Sequence, residues 1–126
     1  MIFIAKLENH KNSYLIYRKD ANSENISIQS RAELYFLSIF QLIEACGAKY
    51  RVRINKHQKV RINLENNPSI FGENTELIWR FFQDIENKIR PKFSYGFSWI
   101  EKDFNELKEK YEIIEKICLK VLENNG

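Results

Sequence analysis

The chain has 126 residues, 44% of them hydrophobic and 13% aromatic, and its 20 basic and 17 acidic side chains give a formal charge of +3. The length suits a single domain, and the aromatic content excludes a disordered chain, just as 4 glycines and 2 prolines exclude a collagen-like or low-complexity one. Two cysteines cannot build a disulfide scaffold, and no apolar run approaches the roughly 18 residues of a membrane span.

The opening Met1-Ile2-Phe3-Ile4-Ala5 is too short for a signal-peptide core. The expectation is a cytoplasmic chain in which Cys46 and Cys118, both at apolar helical positions, are buried thiols. Residues 2–7 and 13–18 read as two strands joined by the polar turn Glu8 to Asn12. A helix competes with them, since Phe3, Leu7, His10, Tyr14 and Tyr17 recur at spacings of three and four. Strands are preferred because Asn9 to Ser13 is poor helix material.

Ser30 with Glu33 forms a capping box for a helix over 30–46, which Gly47 stops. Only Ser38, Gln41 and Glu44 interrupt its apolar surface, so this helix is expected at the centre of the molecule. Apolar and other residues then alternate through Tyr50-Arg51-Val52-Arg53-Ile54 and Val60-Arg61-Ile62-Asn63-Leu64. That period of two predicts a β-hairpin, with Tyr50, Val52, Ile54, Val60, Ile62 and Leu64 inside and Arg51, Arg53 and Arg61 outside. Asn74 or Thr75 opens a second helix that Pro91 ends. Residues 92–99 alternate again, as a fifth strand or an aromatic loop. A last helix follows from Asp103, with Phe104, Leu107, Tyr111, Ile114, Cys118 and Val121 on its apolar face. The resulting fold class is α+β: an antiparallel sheet of two hairpins on a central helix, with two further helices in the C-terminal half.

Charge is concentrated in one place. Lys49, Arg51, Arg53, Lys56, Lys59 and Arg61 fall within thirteen residues that hold no acid. Without those six the chain has 14 basic and 17 acidic residues, so the remainder is mildly acidic. An anionic partner is drawn to such a segment. Arg51, Arg53, Lys56, His57, Lys59 and Arg61 are therefore the candidate nucleic-acid-binding residues, because a row of cations on one face can meet several phosphates. The plainer alternative is a solvated sheet face whose charge discourages edge pairing.

Other constellations carry less. The aromatics Phe93 to Trp99 fit a buried strand face better than a base-stacking platform. With His10 and His57 the only histidines, no metal-ligand spacing occurs, and no cofactor loop is present. Asp84, Glu86 and Lys88, like Asp103, Glu106 and Lys108, bring carboxylates near a lysine as metal nucleases do. Both sets lie on predicted helices and read as solvated faces.

The order hairpin, helix, hairpin, helix over 2–89 resembles the half-unit of LAGLIDADG homing endonucleases. Their leading helix and its metal-binding acid are absent here, so the resemblance implies DNA contact through strands without cleavage. The stretch from Asn55-Lys56-His57 to Arg90-Pro91-Lys92-Phe93-Ser94-Tyr95 is similar to all-helical HEPN domains. Those with ribonuclease activity place an Arg and a His four to six residues apart on a helix, a spacing that Arg51 and His57 share within the expected hairpin. The functional expectation is a non-enzymatic module that contacts nucleic acid through a basic hairpin. A protein-binding inhibitor or immunity-type partner is the alternative, and a small metal-dependent nuclease ranks third.

Overall fold

The structure, a computed structural model, describes residues 2–95 and 98–124. Every regular element among them is helical and none is a strand, which overturns the α+β expectation. Helices α1 (Ile2–Ala21) and α2 (Ile28–Lys49) are followed by a 3-10 turn (His57–Lys59) that leads into α3 (Val60–Asn66). A second 3-10 turn (Gly72–Asn74) opens α4 (Thr75–Asp84), which runs through a π-helical turn (Ile85–Ile89) into α5 (Arg90–Ser94). Helix α6 (Glu101–Glu123) closes the chain. α2 packs against α1, α5 and α6, while α3 packs on α4.

The two N-terminal strands are one helix. Leu7, His10, Tyr14 and Tyr17, the spacing that favoured a helix, are among the buried and half-buried positions of α1. Poor local propensity between Asn9 and Ser13 is overridden by tertiary contacts. Tyr14 donates to Glu115 Oε2 at 2.5 Å, Arg18 Nε donates to the same oxygen at 2.8 Å, and His10 Nδ1 pairs with Gln41 Oε1 at 2.6 Å. Burial, with Glu115 adding to it, pushes the Tyr14 phenol above its ordinary value, and burial does the same for Tyr111.

α2 is the central element, with Tyr35, Phe36, Ile39, Leu42 and Ile43 essentially inaccessible. Its ends differ from the expected ones. Ser27, not Ser30, caps it, its Oγ accepting from Ser30 N at 3.2 Å. Gly47 does not stop it, and the helix continues to Lys49. The expected polar stripe is not wet. Ser38 is buried, donates to the Tyr14 carbonyl at 3.1 Å and shares a 2.8 Å hydrogen bond with the Tyr111 hydroxyl.

Pro91 does not end the fourth helix. The wide turn at 85–89 directly precedes it, and Pro91 is the second residue of α5, so the helical path widens just ahead of the residue that removes an N–H. The expected strand at 92–99 is the end of α5 followed by an extended lead into α6, and residues 96 and 97 lie outside the described residues. Phe93 is buried and stacks on Trp99 with ring centroids 5.5 Å apart. Asp103 sits in the first turn of α6, where Oδ2 accepts from Ile100 N at 2.9 Å and Oδ1 meets Lys92 at 2.9 Å. Those contacts hold its carboxyl below the ordinary range, the Ile100 N–H first and Lys92 next. Cys46 and Cys118 are free and fully buried, Cys46 Sγ lying 3.4 Å from the Cys118 carbonyl oxygen. No helix of the described residues is long and apolar enough to cross a membrane.

Candidate nucleic-acid interface

The segment expected to be a basic hairpin is a turn, an extended strap and a short helix. Its alternation is real, but no ladder forms, because the backbone donors go elsewhere. Val52 N donates to the Gly47 carbonyl at 2.8 Å. Ile54 N and Asn55 N donate to the two oxygens of Glu44, at 3.0 and 3.1 Å. Glu44 is itself buried on α2, so one carboxylate clamps the strap to the central helix. Gly47 allows that approach, since a Cβ there would lie 2.9 Å from the Val52 carbonyl oxygen. The turn needs positive φ at Arg51 (62°) and Asn55 (68°), which is uncommon for residues with a Cβ and easier for Asn.

In the second half of the expected hairpin, positions 60, 62 and 64 are read by a helix. Val60 and Leu64, four apart, are buried together, whereas Ile62 is 52% exposed. Tyr50, also assigned inward, is exposed as well. Bonds with the same spacing of four support α3: Arg61 pairs with Glu65 at 3.3 Å, and Asn63 Nδ2 donates to the Lys59 carbonyl at 2.9 Å.

The six cations and one imidazole fall into four groups. Arg51, Arg53, Lys56 and Lys59 are exposed and have no ion pair among the described residues. Lys49 is spent on the C-terminus of α6, donating to the carbonyls of Val121, at 2.5 Å, and Asn124. Arg61 lies on Trp79, its guanidinium carbon 4.0 Å from the ring centroid. His57 is half-buried, edge-on to Phe36 and Phe40, and its Nδ1 meets the buried carboxylate of Glu86. This contact pins the 3-10 turn to the π-helical turn, so the strap is held at both ends: by Glu44 on α2 and by Glu86 beyond α4.

Of the four carboxylates assigned to solvated helix faces, Glu106 is half exposed and the other three are not free in water. Glu86 and Asp103 are buried, and Asp84 bridges Lys110 at 2.9 Å and Lys88 at 3.4 Å. Burial works against the Asp84 charge, but the two lysines outweigh it and keep the carboxyl below its ordinary value. Beside them, Arg90 lies over Phe36 and pairs with Glu33 at 3.3 Å, while Arg90 Nε and Glu33 Oε2 are buried without a partner. Among the described residues no three His, Cys, Asp or Glu side chains are grouped to hold a metal ion.

The contacts of Trp79 and Glu86 were not visible to sequence reasoning. Trp79 sits among apolar residues and reads as core, which its 8% exposure supports, yet its ring carries Arg61. Nothing in the sequence ties Glu86 to a histidine 29 positions away. Arg51 and His57 do not share a helix, and the hairpins behind the LAGLIDADG resemblance are absent. No family model, curated protein or solved structure matches the chain.

Proposed function

We propose that the protein binds nucleic acid through the strap and the turn that follows it, with Arg51, Arg53, Lys56 and Lys59 as the phosphate contacts. One observation carries the reading: four exposed cations without acidic partners are crowded into nine residues of a chain whose remaining charges nearly balance. Clamping by Glu44 and Glu86 holds their backbone in place, so little chain entropy is lost when a polyanion docks. His57 anchors the group from below. A cytoplasmic location accompanies the reading, supported by two free thiols that a reducing compartment keeps unpaired.

A salt titration with labelled oligonucleotides tests it. Each phosphate neutralised releases counterions, so four contacts give a slope of log K on log salt of about −3.6 for duplex DNA and about −2.8 for single strands. Arg53→Ala is expected to weaken binding to every sequence alike and to make that slope shallower by about one unit. Absence of binding at low salt, or a slope untouched by Arg53→Ala, sinks the proposal.

A second reading, contact with another protein, is favoured by the outer face of α1, where Ile4, Leu15 and Ile16 are 67%, 50% and 62% exposed. Co-purification of a stoichiometric protein that Leu15→Glu releases and Arg53→Ala retains would place that reading first.

A further inference from the structure

A groove of about 520 Å³ runs along the outer side of α3, α4 and the π-helical turn, within the roughly 300–1,000 Å³ range of small-molecule sites. Its walls are Arg61, Trp79, Arg80, Gln83, Asn87 and Lys88, with Asp84 between them. It meets the basic strap twice. Arg61 lies two residues beyond Lys59 at the start of α3, and His57 is bonded to Glu86, the residue before Asn87.

The groove and the strap differ in charge. Arg61, Arg80 and Lys88 each face an acid four residues away, Glu65, Glu76 and Asp84 respectively. The groove is therefore close to neutral, beside four cations that are not paired. Phosphates suit the strap and a neutral, planar, hydrogen-bonding group suits the groove. Arg61 supplies the plane: one face rests on the Trp79 ring, and half of the side chain remains exposed. A guanidinium plane fixed in this way is a surface on which a base stacks. Gln83 and Asn87, one turn apart, offer amide donors and acceptors, and neither side chain makes a hydrogen bond among the described residues.

We infer that this groove accepts one unpaired nucleobase, stacked on Arg61 and hydrogen-bonded by Gln83 and Asn87, so that the nucleic acid bound along the strap is single-stranded. The inference rests on the nucleic-acid reading above and names its substrate class. In a duplex both faces of every base are already stacked, and the groove stays empty.

Fluorescence anisotropy separates the two ideas. The probes are labelled rA, rU, dA and dT homo-oligomers and a duplex of equal length, all at one salt concentration. Single strands are expected to bind about tenfold more tightly than the duplex, the size of one base-stacking contact. Arg61→Lys keeps the charge but loses the plane. It is expected to weaken single-strand binding about tenfold with the salt slope unchanged, and to leave duplex binding alone. Asn87→Ala, at an exposed position where folding is not at stake, is expected to change the ratio of affinities among the homo-oligomers. RNA and DNA arms show which sugar the strap accepts. Equal duplex binding, or single-strand binding indifferent to both Arg61→Lys and Asn87→Ala, overturns the inference while Arg53→Ala still supports the wider reading. Failure of every oligonucleotide to bind overturns both.

Discussion

Helix α2 and the strap that follows it are neighbours in the chain and are held in opposite ways. α2 is fixed by its side chains: Phe36 stacks on Phe82 with centroids 5.4 Å apart, and Ile39, Leu42 and Ile43 are wholly enclosed. The strap is fixed by its main chain, through amides that end on Gly47 and Glu44. Packing therefore constrains almost every side chain of α2, whereas the outward side chains of the strap carry almost no structural duty. Like charges crowd together in such a place because their removal from the fold costs little and nothing forces acids in among them. The contrast teaches that a segment can be rigid and still be free in composition, which is what a binding surface requires.

The largest test of this contrast is Phe36→Ala. The side chain is fully buried and touches Phe82, His57 and Arg90, so loss of transfer energy and the cavity left behind are expected to cost about 3–5 kcal/mol in urea unfolding. A loss below about 1 kcal/mol, the surface range, would mean that α2 is not the packed side of the pair.

Next comes Glu44→Ala, which removes the clamp. Two amides lose a charged acceptor at once, and the expected cost is about 2–3 kcal/mol. Hydrogen exchange decides what that cost means. Protection should be lost at Ile54 and Asn55 while Ile39 and Leu42 keep theirs. Uniform loss across α2 would show that strap and helix unfold as one unit and that the contrast between them is one of degree.

Helix α2 was legible in the sequence from its long, nearly unbroken apolar run, and α6 from apolar residues that recur at spacings of three and four from Phe104 to Val121. The five-residue windows at 50–54 and 60–64 are too short for that. A period of two places residues 60 and 64 on one side, and so does a helix, which differs only by exposing Ile62. The strap adds a second difficulty. Its residues are extended, so its pattern resembles a strand, but a strand needs a ladder, and the donors that would make one are taken by Glu44, ten residues earlier in the chain. For α1, the correct spacing was in view and propensity outweighed it, because the contacts of Tyr14 and Arg18 with Glu115 come from the far end of the chain. Of the candidate site, the concentration of charge was legible. The groove was not, because Arg61 meets Trp79 only once α3 packs on α4.

A smaller effect concerns acid. Asp103 does at the start of α6 what Glu44 does for the strap, accepting a loop amide, but nearer to solvent and with Lys92 beside it. Its folded carboxyl titrates below the ordinary value of 3.8. The stability it contributes is therefore complete above that value and lost as pH falls through the lower, folded one. Asp103→Asn is expected to flatten the acid limb of the stability curve below about pH 4 and to leave its shape near neutrality unchanged. An acid limb identical to that of the wild type would remove Asp103 from among the groups whose protonation unfolds the protein.

The smallest structural effect is expected at Arg51, where the contrast is sharpest. Its φ of 62° lies in the left-handed region, and a side chain with a Cβ carries about 1 kcal/mol of strain there that glycine removes. Glycine also widens the unfolded ensemble, at a cost of about 0.4–1 kcal/mol. The two terms oppose one another, so Arg51→Gly should leave the urea midpoint within about 0.5 kcal/mol of wild type. Its effect on binding should be larger, since one of four phosphate contacts is lost and the salt slope becomes shallower by roughly 0.7–0.9 units. Unchanged stability with weakened binding is the signature of a backbone held by α2 and a charge held in reserve for a partner. Destabilisation beyond about 1 kcal/mol would mean that the Arg51 side chain itself supports the turn, and the division between a main chain that folds and side chains that bind would fail at the residue that states it most clearly.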